Sequence, residues 1–287
     1  MIICIVGPTG VGKTKLSVSL AKKYNAIIIN CDAMQVYKDL NIGTAKVKEE
    51  EKEGISHYLF DIKEVDEDYT VFDYQQDVRK LLEEHKDKNI IFVGGTGLYL
   101  KAALYDYRFR VETSPKKDYS SYTNEELYQM IKEKDISVTI HPNNRVRMER
   151  FLNKEDIEEV EPIKLYDHFL IGLTTDREIL YDRINKRVDT MVEEGLLEEA
   201  KSFYDKGIKT KPLMGGIGYK ELYDYFDNKV SLDEALDKIK QNSRRYAKRQ
   251  YTFFNNQLDV KWFNTDFNNF QNTIDNVTEY IDQENSN

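Results

Sequence analysis

The chain has 287 residues, 40% hydrophobic and 32% charged, with net charge −9 and a pI near 5.2, enough for one large or two modest domains with a real core. The acidic balance excludes a uniformly basic nucleic-acid binder and leaves that role to local patches. No stretch reaches the roughly 18–20 apolar residues of a membrane span, and Cys4 and Cys31 make neither a disulfide framework nor a metal quartet, so a reducing, cytoplasmic compartment is expected.

The first apolar run, Ile2 to Val6, stops at a glycine and reads as a strand rather than a signal peptide. Gly7-Pro8-Thr9-Gly10-Val11-Gly12-Lys13-Thr14 follows, and a helical pattern runs from Lys15 to Tyr24. This is the spacing G-x-x-x-x-G-K-[ST] between a strand and a helix. The glycines let backbone N–H groups turn onto phosphate oxygens, and the helix directs its positive end at the same anion. Lys13 supplies a mobile cation and Thr14 a hydroxyl for Mg²⁺. The loop by itself does not say whether the anion is a nucleotide or another pyrophosphate.

Ala26 to Asn30 is a second strand, ending in Cys31-Asp32, and Tyr58 to Phe60 a short third. Thr70 and Asp73 form a capping-box pattern for a helix to about His85. Asn89 to Val93 is another strand, closed by Gly94-Gly95-Thr96-Gly97 and a helix to about Tyr105. The alternation predicts a parallel sheet covered by helices on both faces. From 106 to 164 strand patterning disappears. Ser114-Pro115, the helix start Thr123-x-x-Glu126 and His141-Pro142 before a second helix predict a small helical insertion. A strand returns at His168 to Leu173. The remainder is helical except for a last strand at Val260 to Phe263. The acidic runs at 49–51 and from Glu155 to Glu161 read as solvated faces.

Several residues along this path can carry chemistry. Asp32 stands at the carboxyl end of its strand, the edge where parallel sheets bind ligands, and suits a general base, a metal ligand or a helix cap. Met34 and Gln35 are types that cover and hydrogen-bond a planar base. Three glycines between Gly94 and Gly97 suggest close approach by a ligand or another backbone. Arg183 and Arg187 share a helix face; spacing alone favours surface pairing with Asp182 and Asp189 over phosphate contact. In Arg244 to Tyr251, the pairs Arg244/Lys248 and Arg245/Arg249 repel at i,i+4, a strain that an anion relieves. Tyr246, Tyr251, Phe253 and Phe254 interleave with these cations as in nucleic-acid surfaces; the alternative is aromatics inside and cations outside. Arg145, Arg147 and Arg150 form a second basic cluster.

Taken together, Gly7 to Thr14, Asp32 to Tyr37, Gly43-Thr44-Ala45-Lys46, Gly94 to Tyr99, His141-Pro142-Asn143-Asn144, Gly218-Tyr219 and Lys248-Arg249-Gln250 resemble the tRNA dimethylallyltransferase (IPP transferase) family. The resemblance spans Met1 to about Phe263. It implies a phosphate-loop, nucleotide-kinase-like core (1–105 and 165–287) with a helical insertion (106–164) that clasps the anticodon stem-loop. It implies transfer of a dimethylallyl group from dimethylallyl diphosphate to N6 of adenine 37, beside the anticodon, in tRNAs reading codons that begin with U. By the same resemblance Asp32 would take the N6 proton. Thr9 and Arg187 would hold the leaving diphosphate with the rest of Gly7 to Thr14, and Mg²⁺ would sit at Thr14. Contacts to tRNA would come from Asp32-Ala33-Met34-Gln35, Thr96, Val146-Arg147-Met148-Glu149-Arg150, Gly215-Gly216-Ile217-Gly218-Tyr219-Lys220 and Lys248-Arg249-Gln250-Tyr251-Thr252-Phe253-Phe254-Asn255. A cytoplasmic monomer without membrane contact is expected.

Three alternatives are weaker. Prenylation of free adenine nucleotides does not need the basic helix around Arg245. A small-molecule kinase does not need the stretches at Asp32 to Tyr37 and Gly94 to Tyr99. A non-catalytic tRNA binder does not need Asp32 beside a complete phosphate loop.

Overall fold

Strands β1 (Ile2–Val6), β2 (Ala26–Asn30), β3 (His57–Tyr58), β4 (Asn89–Val93), β5 (Phe169–Thr174) and β6 (Lys261–Asn264) make one parallel sheet in the order β3-β2-β4-β1-β5-β6. The structure is a computed structural model and describes residues 1–109, 117–153 and 163–286. Ser114-Pro115 and the acidic run from Glu155 to Glu161 lie outside the described residues.

The apolar sequence of β1 follows from its place: both faces are covered, so alternate residues serve two cores. Ile3 and Ile5 pack into one cluster with Leu16, Leu20, Ile28 and Ile171. Cys4 and Val6 face the other, with Ile27, Ile29, Phe92 and Leu100. Cys4 thus serves as a small core residue, and burial raises its thiol pKa well above normal.

Register decides what the sheet can do. Ile5 pairs with Val93, Val6 with Gly172, and Asn30 with Val93. The phosphate loop, Asp32 and the Gly94–Thr96 turn therefore leave the sheet at one edge, its carboxyl edge. The chain runs outward from β1 in both directions, and the crevice above such a switch is where doubly wound sheets bind ligands.

The last two strands each lie one residue later than expected, at Phe169–Thr174 and Lys261–Asn264, and two further boundaries differ for a local reason. The phosphate-loop helix begins at Lys13 rather than Lys15, because Gly12 turns into it at φ 93°. The third strand ends at Tyr58, since Leu59 takes a left-handed φ of 62° and leaves the ladder. The capping boxes at Thr70/Asp73 and Thr123/Glu126 form as the sequence indicates.

By contacts the chain divides into Met1–Tyr107 with Ile163–Asn287, and Arg108–Pro162. In the first unit, the points where the chain departs and returns are paired: Asp106 N–H donates to Ile163 O (2.8 Å) and Leu165 N–H to Leu104 O (2.9 Å). The second unit holds helices Asn124–Lys134 and Arg145–Leu152 around Leu127, Ile131, Met148 and Tyr119.

Candidate active site

The Asp32 carboxylate is held by local geometry that its sequence encodes. Asn30 is the one polar residue of β2 and is fully buried. Its amide donates to Asp32 O and Leu59 O (both 2.9 Å), and its side-chain oxygen accepts from Asp32 N–H (2.9 Å). Asp32 Oδ1 accepts from Met34 N–H at 2.9 Å, an Asx turn. No helix follows, so Asp32 is not a helix cap. Thr96 Oγ1 accepts from Ala33 N–H (3.1 Å) and ties the Asp32 segment to the glycine turn after β4.

Three charges meet here. Burial, then the neighbouring Arg187 guanidinium, pulls the Lys13 ammonium down to about 8, against the opposing pull of Asp32. Lys13 Nζ donates to Pro8 O of its own loop at 2.7 Å. Arg187 lies on the helix Arg177–Glu193; burial lowers its pKa, and Asp32 is the charge that most offsets this. Its Nε is buried without a hydrogen-bond partner. Two partly desolvated cations, one with an orphaned donor, beside one carboxylate form a site shaped for an anion.

This overturns the surface-pairing expectation for the arginines. Asp182 pairs with Lys186 (2.8 Å) and Asp189 with Lys240 (2.6 Å). Arg183 instead donates from Nε to Gly10 O at 3.0 Å, with its guanidinium 3.8 Å from the Phe267 ring centroid. Spacing within one helix cannot report these partners, because they come from the phosphate loop and from after β6. That last segment also closes the loop's flank: Thr265 Oγ1 donates to Val11 O (3.1 Å), and Phe270 packs on Gly12. Sequence reading missed Thr265, Phe267 and Phe270, for which no local signal exists. It also missed Asn30, whose signal was a lone polar residue ending an apolar strand.

The glycine turn approaches protein atoms. A side chain at Gly94 would strike the Cys31 carbonyl, and one at Gly95 the Gln250 amide. Gln250 Nε2 donates to Gly95 O at 3.1 Å, while its Oε1 is buried without a partner.

The remaining expected contact residues divide into two groups. Lys220, Lys248, Arg249, Thr252 and Asn255 are exposed in the first unit, and Val146, Arg147 and Arg150 in the second. Gly215 is exposed, Ile217 partly so, and Glu149 pairs with Arg145 at 2.7 Å. Met148, Tyr219 and Phe254 are core residues with at most 1% exposure, which corrects the expectation that their side chains reach RNA. Tyr251 bonds Thr174 (2.7 Å), Phe253 packs on Gly97, and Gly216 and Gly218 are buried. On the helix Leu232–Gln257, then, the aromatics pack inward and most cations remain outside. Lys240 and Arg244 are partly buried, Lys240 paired with Asp189 and Arg244 bonding Asn185 from its Nη1.

A parallel sheet with a phosphate loop and a carboxylate at its carboxyl edge places the chain in the phosphate-loop class of folds. The model of the family described as IPP transferase matches residues 35–257. The tRNA dimethylallyltransferase of Anoxybacillus flavithermus is 45% identical over 300 residues, spanning 98% of this chain and 96% of that protein. The solved tRNA isopentenylpyrophosphate transferase of Bacillus halodurans is 42% identical with a TM-score of 0.79, over 98% of this chain and 95% of its own. A eukaryotic dimethylallyltransferase acting on tRNA is 28% identical with a TM-score of 0.76, over 98% and 79%. The chain belongs to the IPP transferase family, a family of enzymes.

Proposed function

We propose that this chain transfers the dimethylallyl group of dimethylallyl diphosphate to N6 of adenine 37 in tRNAs reading codons that begin with U, giving N6-isopentenyladenosine and diphosphate. The observation that carries the reading is the Asp32 carboxylate within the field of Lys13 and Arg187, at the edge where the phosphate loop emerges. The exocyclic amine of adenine is a poor nucleophile, because its lone pair is delocalised into the ring. N6 attacks C1 of the dimethylallyl group, and the C1–O bond breaks with its electrons going to diphosphate. Asp32 takes the N6 proton. The Lys13 ammonium, the Arg187 guanidinium, Thr9 and the loop amides neutralise the charge that grows on the leaving group.

Mg²⁺ fits as a companion of the diphosphate. The loop offers the Thr14 hydroxyl, and no group of three acidic, His or Cys side chains stands ready to cage a metal among the described residues. Magnesium brought in with the diphosphate would need no such cage, and the Thr14 hydroxyl would help to hold it. When bound, it supplies further neutralisation of the leaving group.

In the first unit, exposed cations of the helix Leu232–Gln257 would contact the tRNA anticodon stem-loop, with adenine 37 flipped out of its stack; Arg147 and Arg150, taken by themselves in the second unit, are exposed cations suited to RNA phosphates. The chain is proposed to act as a cytoplasmic monomer; no described helix is long and apolar enough to cross a membrane. Arg245→Ala is expected to weaken tRNA binding and to reduce the slope of log K against log salt by about 1. Titrations at several salt concentrations read this directly, and an unchanged slope places Arg245 away from RNA.

The Lys13 value gives a pH test. Burial and Arg187 pull the Lys13 ammonium down to about 8, and an anion bound beside it would raise it again. Below pH 8 the cation is already present. Above it, affinity for dimethylallyl diphosphate falls by up to about tenfold per pH unit, and binding takes up a proton. Calorimetry at about pH 9 in two buffers of different ionisation enthalpy measures that uptake. Zero uptake means that Lys13 does not meet the anion.

The reading itself is tested by offering labelled dimethylallyl diphosphate and Mg²⁺ with unmodified tRNA, and separately with AMP. Label in tRNA carrying A37 supports it. Label only in AMP points to nucleotide prenylation, and label in neither overturns prenyl transfer.

A further inference from the structure

Beyond the bonds of Cys31 to Val93 and Thr96 and the side-chain bonds from Asn30 and Thr96, the segment that bears Asp32 has no strand ladder to hold it. Residues 31–36 are in no strand or helix, and only an isolated bridge, Tyr37 to Lys63, follows. The surrounding loops are conformationally costly. Asp39, Ala45, Leu59 and Asp61 all take left-handed φ between 46° and 62°, each outside the usual range for a side-chain-bearing residue. Something must hold them there.

The loop Asn41 to Lys46, which contains Gly43-Thr44-Ala45-Lys46, is the anchor for the far part of this segment, Gln35 to Tyr37. Its Thr44 and Ala45 carbonyls accept from Gln35 Nε2 at 3.0 and 3.4 Å. Lys46, nearly buried, donates to Tyr37 O at 2.7 Å and pairs with Asp61. The loop is itself gripped from the far side by one carboxylate. Glu199, on the helix Leu196–Tyr204, accepts Asn41 N–H (3.0 Å) and Ile42 N–H (2.8 Å) on Oε2. Its Oε1 accepts Gly43 N–H (3.0 Å) and the Tyr219 hydroxyl (2.7 Å). A Cβ at Gly43 would lie 2.6 Å from that hydroxyl, so only glycine fits beneath it. Four donors on one carboxylate are charge-assisted bonds of the strong kind.

We propose that Glu199, backed by Tyr219, is a positioning residue for the reaction: it locks the Asn41–Lys46 loop and thereby fixes Gln35, Tyr37 and the general-base segment they belong to. This rests on the prenyl-transfer reading for its link to catalysis. The clamp contains no residue assigned to the diphosphate, so its loss separates rate from diphosphate binding. Misplacing a base by a fraction of an ångström costs rate and leaves the leaving-group cradle intact.

The test is Glu199→Gln in the full chain. Glutamine keeps the size and one acceptor, but turns an NH₂ toward amide N–H groups. Expected is a fall in kcat of about tenfold or more, with KM for dimethylallyl diphosphate within about twofold. Tyr219→Phe, which removes one hydroxyl, is expected to lose about threefold, and its loss should not add to that of Glu199→Gln. Amide hydrogen exchange provides a readout independent of turnover: peptides covering 32–46 should exchange faster in both variants, while those from the phosphate loop stay unchanged. Unchanged exchange in that segment overturns the clamp, whether or not the wild type prenylates tRNA. Unchanged kcat in folded Glu199→Gln, or a raised KM with kcat intact, overturns the positioning role. If Glu199→Gln does not fold, Tyr219→Phe decides on the same criteria. An inactive wild type with faster exchange in both variants rejects the prenyl-transfer reading and with it the catalytic role, and retains only the clamp.

Discussion

Asp32→Asn is expected to lower transfer to tRNA by about 10²–10⁴-fold while tRNA affinity stays within a few-fold, since a general base acts in the transition state. Asparagine is the informative change. Its side-chain oxygen can still accept the Met34 N–H that Asp32 accepts at 2.9 Å, so the turn survives and only the proton acceptor is lost. The variant carries a second signature. Asp32 is the charge that raises Lys13, so its removal pushes the Lys13 pKa below about 8. The alkaline fall in diphosphate affinity should therefore begin at lower pH, and single-turnover rates are best compared near neutrality, where the cation remains. Lost tRNA binding with unchanged turnover would rule out the base role.

Arg187→Gln is expected to cost about 10²–10³-fold in kcat, the scale seen when a buried donor aimed at developing charge is removed. The reason for this expectation is a buried Nε without a partner on a guanidinium whose charge is felt by Lys13. Here the pH signature has the opposite sign. Arg187 lowers Lys13, so without it the Lys13 pKa rises and the alkaline limb moves to higher pH. Pre-steady-state transfer measured from about pH 7 to 10 distinguishes the two variants by the direction of that shift. An unchanged kcat would leave Arg187 as a structural cation only.

The two variants also mark where sequence reading succeeds and where it stops. Asp32 could be found from its strand-end position, because period and chain direction place a strand's last residue at the carboxyl edge. Arg187 was found only through resemblance; by spacing it looked like one more solvated charge, and Asp182 and Asp189 looked like its partners. The aromatics around Tyr246 show the same limit. Their alternation with cations suits an RNA surface and a core-facing helix equally, and only packing chooses between them.

What the sequence determined by itself is local and periodic. Apolar runs and their spacing set the strands and helices, the capping boxes set helix starts, and Gly7 to Thr14 set the loop between the first strand and its helix. These signals lie within one turn or one strand, so neighbouring residues suffice to encode them. The tertiary structure decided what depends on distant partners. Sheet register brings the Asp32 segment and the phosphate loop to one edge, the helix after β5 adds Arg187 to the charges acting on Lys13, the segment after β6 closes the phosphate loop, and Glu199 grips a loop 156–158 residues away in the chain. Charge and burial at a site arise from all the elements that converge there, and no single stretch of sequence carries that sum.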